Sequence, residues 1–215
     1  SRFINFFLNK DKFLSVDNND IIDSHITKIK NIIKLLKFNF DDTDLNFLNI
    51  KNYDESQIVD KNTIHLHYDE KWSNNTYISK YTDIEPSENQ LLEFIHELKV
   101  KSNFKVVVTT GLNTPDVLKS IISKINDDKI KIIQNISFIE LENVVFNSKL
   151  LISCHGAISH VASAYNVKQI DIIDTNKQNP YNNWTDHFRN YNFVYRKNFI
   201  ELKSDIFKYL YFNFI

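Results

Sequence analysis

Residues 150–164 read LLISCHGAISHVASA. Leu150–Cys154 is an apolar run of strand length, and it ends in the turn His155-Gly156. Small residues follow at once, and from Ala157 onward the spacing is that of a helix. A strand that passes through a glycine turn into a helix is the unit from which parallel α/β sheets are wound. On both sides of this stretch, short β-branched runs alternate with amphipathic segments. Strands are predicted at Thr63–His67, Lys105–Thr110, Lys129–Ile133, Leu150–Cys154, Gln169–Ile173 and Phe193–Arg196.

Helices are predicted between them. Ser87–Val100 places Leu91, Leu92, Ile95 and Leu98 on one face, and Pro115–Ile125 does the same with Val117, Leu118, Ile121, Ile122 and Ile125. Pro86 and Pro115 stand at helix starts, and Thr114 has the form of an N-cap. Ser137 and Glu140 form a capping box that opens Phe138–Phe146. The expected fold class is therefore α/β, a Rossmann-like parallel sheet with helices on both faces.

The chain divides into three parts on this reading. Residues 1–60 hold a helix from Ser24 to Lys37, marked by Ile26, Ile29, Ile33 and Leu36, and then the polar stretch Asp41–Asp60. They read as the end of a preceding domain and a linker. Residues 61–196 form the Rossmann-like domain, and 197–215 a final helix whose apolar face includes Phe207, Leu210, Tyr211 and Phe214. The first residue is Ser and there is no methionine, so the natural beginning is expected to lie outside this sequence.

Small residues locate the candidate site. The chain has only two glycines, Gly111 and Gly156, where average usage would give on the order of fifteen. Each follows a predicted strand. All three alanines, Ala157, Ala162 and Ala164, lie directly after Gly156. Small residues are needed where backbone approaches a ligand or where a helix sits tightly on a sheet. Both needs are expected here, with Gly156 and Ala157 serving the ligand and Ala162 and Ala164 the packing.

In open α/β sheets ligands sit beyond the carboxyl ends of the strands. The turn His155-Gly156-Ala157-Ile158-Ser159-His160 lies there, and its helix start offers backbone N–H groups and the positive end of a dipole to a diphosphate. Ser159 and His160 are candidate side-chain donors, and His155 a candidate contact to a phosphate or a sugar hydroxyl. Lys71, in the loop Tyr68-Asp69-Glu70-Lys71-Trp72, supplies the positive charge that the turn lacks. Gly111, Asn113 and Thr114 form the corresponding turn after the second strand and are candidates for ribose or sugar hydroxyls.

The stretch LLISCHGAISHVASAYNVKQIDII resembles the C-terminal half of the heptosyltransferase family of GT-B glycosyltransferases. That family has a strand, an Asp-Ser/Thr-Gly-x-x-His turn, an Ala-rich helix and a further strand. His155 takes the Asp position, Gly156 the Ser/Thr position and Ala157 the Gly position, while His160 matches the His. Asp69-Glu70-Lys71-Trp72 is similar to the family's Lys-Trp loop, in which the Lys contacts donor phosphate. His155-Gly156-Ala157 is also similar to a His-Gly-Ala turn of other GT-B enzymes.

The resemblance, over roughly residues 20 to 196, implies a donor-binding C-terminal domain that follows the remnant of an acceptor-side domain. It further implies a nucleotide-diphosphate sugar donor, a glycan or lipid-linked acceptor, and a cytoplasmic place in lipopolysaccharide or polysaccharide biosynthesis, with peripheral membrane association. No Asp-x-Asp follows a strand, so transfer is expected to need neither a metal nor a cofactor. The general base is expected in the acceptor-side region. Lys71 and His155 are read as stabilising the leaving group.

Composition narrows the alternatives. Apolar residues are 42% and charged residues 25%, ordinary values for a packed domain. Lys plus Arg (26) nearly cancel Asp plus Glu (27), which leaves no basic stripe for nucleic acid. No apolar run approaches the length of a membrane span. Three other readings remain beside the transferase. One is a non-catalytic nucleotide-sugar or glycan-binding domain. Another is a metal-dependent hydrolase built on His65, His67, His155 and His160. The last uses Cys154 with His160 as a nucleophile, although a lone cysteine closing a strand reads as packing.

Overall fold

The computed structural model describes residues 25–37, 59–73, 82–174 and 183–214. The chain forms two compact units, Ser1–Phe47 with Asn179–His187, and Leu48–Gln178 with Phe188–Ile215. In the first unit α1 spans His25–Leu35, close to the predicted span. Most of the predicted linker, residues 41–58, lies outside the described residues.

The second unit runs β1 (Thr63–His67), α2 (Glu88–Ser102), β2 (Lys105–Thr109), α3 (Asp116–Ile121), β3 (Ile130–Ile133), α4 (Phe138–Phe146), β4 (Leu150–Cys154), α5 (Ala157–Ala164), β5 (Lys168–Ile173), β6 (Tyr191–Tyr195) and α6 (Phe199–Phe214). The six strands form one sheet in the order β3-β2-β1-β4-β5-β6, and every pairing is parallel. Successive strands β3 and β4 thus lie on opposite sides of β1, and the direction of winding reverses between β1 and β4. The loops that leave these two strands face each other across the crevice where doubly wound sheets hold their ligands.

The central strands are buried on both faces, which is why they read as continuous β-branched and apolar runs. All five positions of β1 and of β4 are buried. Ile64, Leu66, Val106, Val108, Leu150, Ile152, Ile170 and Ile172 face α2, α3 and α6 in the largest core. Leu151 and Val107 face the other way, against α4 and α5. Phe94 anchors the first face, edge-on to Phe199 at 5.6 Å and to Phe207 at 5.7 Å between ring centres.

Local chemistry sets the helix ends. Ser137 and Glu140 form the expected capping box at α4, and Ser87 with Gln90 forms another at α2. Thr114, however, is not an N-cap. Pro115 holds that place at α3, and the Thr114 hydroxyl lies 3.1 Å from that of Thr110 and 3.4 Å from Gln134 Oε1. On α6 the buried face is Phe199, Leu202, Ile206 and Leu210, whereas Tyr211 is exposed. Among the described residues no helix is long and apolar enough to cross a membrane.

Candidate functional site

The loop after β1 is a single 3-10 turn, Glu70–Trp72, held from both sides. Asp69 caps it, its carboxylate accepting the Lys71 backbone N–H at 3.1 Å. Trp72 is fully buried, packs on Tyr68, and donates its indole N–H to the His67 carbonyl at 3.0 Å. Trp72 is therefore the anchor of the turn rather than a ligand surface. Arg196, just beyond β6, is buried and donates to the carbonyls of Lys71 (2.7 Å) and Thr82 (3.1 Å).

This turn approaches both glycines, and closely enough to exclude a side chain only at Gly156. A Cβ on Gly156 would fall on the Lys71 ammonium, and one on Gly111 would lie 3.4 Å from Glu70 Oε2. Gly156 has φ 174° and ψ −164°, extended backbone open to any residue. What position 156 requires is space. Lys71 crosses the switch point to lie over the start of α5, where the first N–H groups of a helix have no partner within it. Its side chain is 16% exposed, enclosed enough to act on an anion yet reachable by one.

Asp69 Oδ2 lies 3.3 Å from Lys71 Nζ and 3.5 Å from His67 Nε2. Burial alone raises the Asp69 carboxyl. The hydrogen bond and charge of His67, together with the Lys71 ammonium, outweigh that and hold it below its ordinary value. Lys71 is thus already steered by a carboxylate before any ligand arrives.

On the other side of the crevice, Asp171 of β5 organises the turn after β4. This carboxylate is fully buried. It meets His155 Nδ1 at 2.5 Å and accepts from Ser159 Oγ at 2.7 Å and from the Tyr191 hydroxyl at 3.0 Å. Ser159 Oγ in turn accepts the Gly156 N–H at 3.3 Å. Sequence reading passed over Asp171 as an ordinary strand position. The signal was present, an acid inside the apolar run Ile170–Ile173, but its partners stand 12, 16 and 20 residues away.

The other predicted residues are placed as follows. Ser159 is fully buried and gives its hydroxyl hydrogen to Asp171, so it is not a donor to a ligand. Ala157 is exposed at the start of α5; the Ile158 side chain packs in the core, which leaves its backbone N–H as the group it could offer a ligand. His160 is exposed, with its ring 5.8 Å from that of His155 and 4.8 Å from Phe188. Gly111 and Asn113 lie in the loop after β2, Asn113 exposed, while Thr114 is buried with its hydroxyl already engaged and unsuited to a sugar.

The four-histidine metal site does not form. His65 and His67 share the hydroxyl of Thr109, at 2.6 and 2.8 Å, and His155 is drawn to Asp171 instead. Among the described residues, no group of three or more His, Cys, Asp and Glu is placed to hold a metal ion. Cys154 is buried, burial pushes its thiol up to about 12, and its sulfur accepts from Arg196 at 3.4 Å. It is not poised as a nucleophile.

The sheet order, the switch-point crevice and the strand–turn–helix at its edge define a doubly wound, Rossmann-like α/β fold. Among solved structures, the chain is similar to the E. coli ADP-heptose lipopolysaccharide heptosyltransferase II, with a TM-score of 0.50 and 11% identity over 69% of this chain. It is also similar to Methanocaldococcus jannaschii UDP-GlcNAc 2-epimerase in complex with UDP-GlcNAc and UDP, with a TM-score of 0.49 and 16% identity over 95% of this chain. The chain spans 45% of the length of the first and 50% of the second. No protein-family model and no curated protein sequence matches it.

Proposed function

We propose that this chain is the donor-binding half of a glycosyltransferase that moves a sugar from a nucleotide-diphosphate sugar to a glycan or lipid-linked acceptor without a metal. The observation that carries the reading is the Lys71 ammonium held over Gly156, at the mouth of α5. There it joins the Ala157 and Ile158 N–H groups and the helix dipole around one position. That set suits a diphosphate, which spreads its charge over several oxygens. The likeness to an ADP-heptose heptosyltransferase supports the same class of ligand.

In the reaction, an acceptor hydroxyl attacks the anomeric carbon and the bond from that carbon to the diphosphate oxygen breaks. Negative charge grows on the departing diphosphate. Lys71 and the start of α5 stabilise it there, more strongly than they stabilise the bound donor. The hydroxyl's proton passes to a base outside this site.

Calorimetric titration with UDP, GDP, ADP and CMP tests the site. One nucleotide should bind, and Lys71→Ala should weaken it about 10- to 100-fold, the loss of a charged hydrogen bond. If none of the four binds, the site reading falls. Sugar transfer that proceeds in a chelator supports the metal-free reading. Binding without turnover in the intact protein would instead favour a non-catalytic nucleotide-sugar module.

A further inference from the structure

We infer that Asp171 is the positioning residue of this site: its carboxylate fixes His155 as the Nδ1–H tautomer and fastens the turn from which the ligand is held. The ligand part of this inference rests on the donor-site reading above; the imidazole part does not.

Three donors from two separate elements converge on Asp171, His155 and Ser159 from the turn and Tyr191 from β6. Removing a carboxylate from water is costly, and an apolar residue would fill the position at less cost, as Ile170 and Ile172 do beside it. The acid is therefore there for what it holds. A carboxylate only accepts, so the imidazole nitrogen that faces it carries the hydrogen. The neutral ring then has its lone pair on Nε2, on the edge away from Asp171. An acceptor edge of this kind is matched in its chemistry to a hydroxyl donor and not to a phosphate oxygen.

The second carboxylate oxygen does equivalent work on the backbone. Because the Ser159 hydroxyl gives its hydrogen to Asp171, its oxygen accepts from Gly156, and that N–H is withdrawn from any ligand. The amides left to open the helix are those of Ala157 and Ile158. One buried carboxylate thus decides which imidazole edge and which N–H groups the crevice presents.

The test is a two-bond ¹H–¹⁵N correlation of the imidazoles in the full chain near pH 8, assigned with His155→Gln and paired with titrations of UDP, GDP, ADP and CMP. His155 should be the Nδ1–H tautomer. Asp171→Asn should shift it toward Nε2–H and weaken whichever nucleotide binds about tenfold, while Phe94→Ala, on the opposite face of the sheet, should leave the tautomer of the folded chain unchanged. A wild-type His155 in the Nε2–H form, or a folded Asp171→Asn chain with an unchanged tautomer, overturns the inference. If Asp171→Asn does not fold, the wild-type spectrum decides, with Ser159→Ala expected to keep the tautomer. An Nδ1–H ring in a chain that binds none of UDP, GDP, ADP and CMP sinks the donor-site reading and leaves the Asp171–His155 assignment standing.

Discussion

The Lys71 ammonium occupies the space that any side chain at residue 156 would need. The backbone there is extended and unstrained, so the glycine answers to its neighbour across the crevice and not to its own torsions. Gly156→Ala should therefore fold with little loss of stability, since the atom in the way is the far end of a flexible side chain. The methyl group will nevertheless displace Lys71. Nucleotide affinity should fall about as far as in Lys71→Ala, and the double variant should be little worse than either single one. Calorimetry on the four chains gives the answer. Additive losses would mean that Gly156 meets the ligand directly.

Arg196 connects the end of β6 to the Lys71 carbonyl, and its guanidinium serves three acceptors at once. A lysine ammonium lacks that planar fan of donors. Arg196→Lys should lower unfolding stability by about 2–3 kcal/mol and weaken nucleotide binding through the loosened turn. Urea denaturation and titration of the same variant check both. Unchanged affinity beside lost stability would separate Arg196 from the site.

His65 is completely buried, and that burial, with the charge of His67 beside it, holds its imidazole well below the ordinary value of 6.5. Below about pH 6.5 the unfolded chain takes up a proton that the native one refuses. Stability should therefore be full above that pH and drop as pH falls, by at most about 1.4 kcal/mol per pH unit from this group. His65→Asn removes the titration. Urea midpoints between pH 7.5 and 5.5 should decline more steeply in the wild-type chain. Parallel declines would refute the assignment.

Phe94 packs edge-on against both Phe199 and Phe207, joining α2 to α6. Phe94→Ala should cost about 3–5 kcal/mol. Because the ring lies on the opposite face of the sheet from Asp171, the His155 tautomer should be unaffected in the folded fraction. Thermal melting and the imidazole spectrum measure the two separately.

How much of this was legible depended on how local each cause is. The strands β1 and β4 were read to the residue because sheet pairs on both sides and burial on both faces demand apolar or β-branched side chains at most positions. α4 was legible from its capping box, which is written within four residues. β6 was placed late in the chain because its first residues, Tyr191 and Asn192, lack a β-branched signature. Phe94 was missed on the α2 face through the choice of Leu92 in its place. The two glycines drew the reading to the carboxyl edge of the sheet, but the Lys71 ammonium against Gly156 was not legible, because it arrives from a loop far away in the sequence. Asp171 stood out only as an acid inside an apolar run; its role was not legible, because carboxylate convergence is a property of the folded crevice and leaves no spacing in the sequence.

The single cysteine of the chain sits at the carboxyl end of β4, 2% exposed, beneath the Arg196 guanidinium and one residue before the turn. With burial pushing the thiol so far up, an alkylating reagent finds no thiolate in the closed molecule. Reaction must wait until a motion uncovers the buried sulfur. The kinetics of labelling at this one sulfur therefore time the opening that uncovers the core beneath Arg196, giving the protein a native stopwatch for its own breathing.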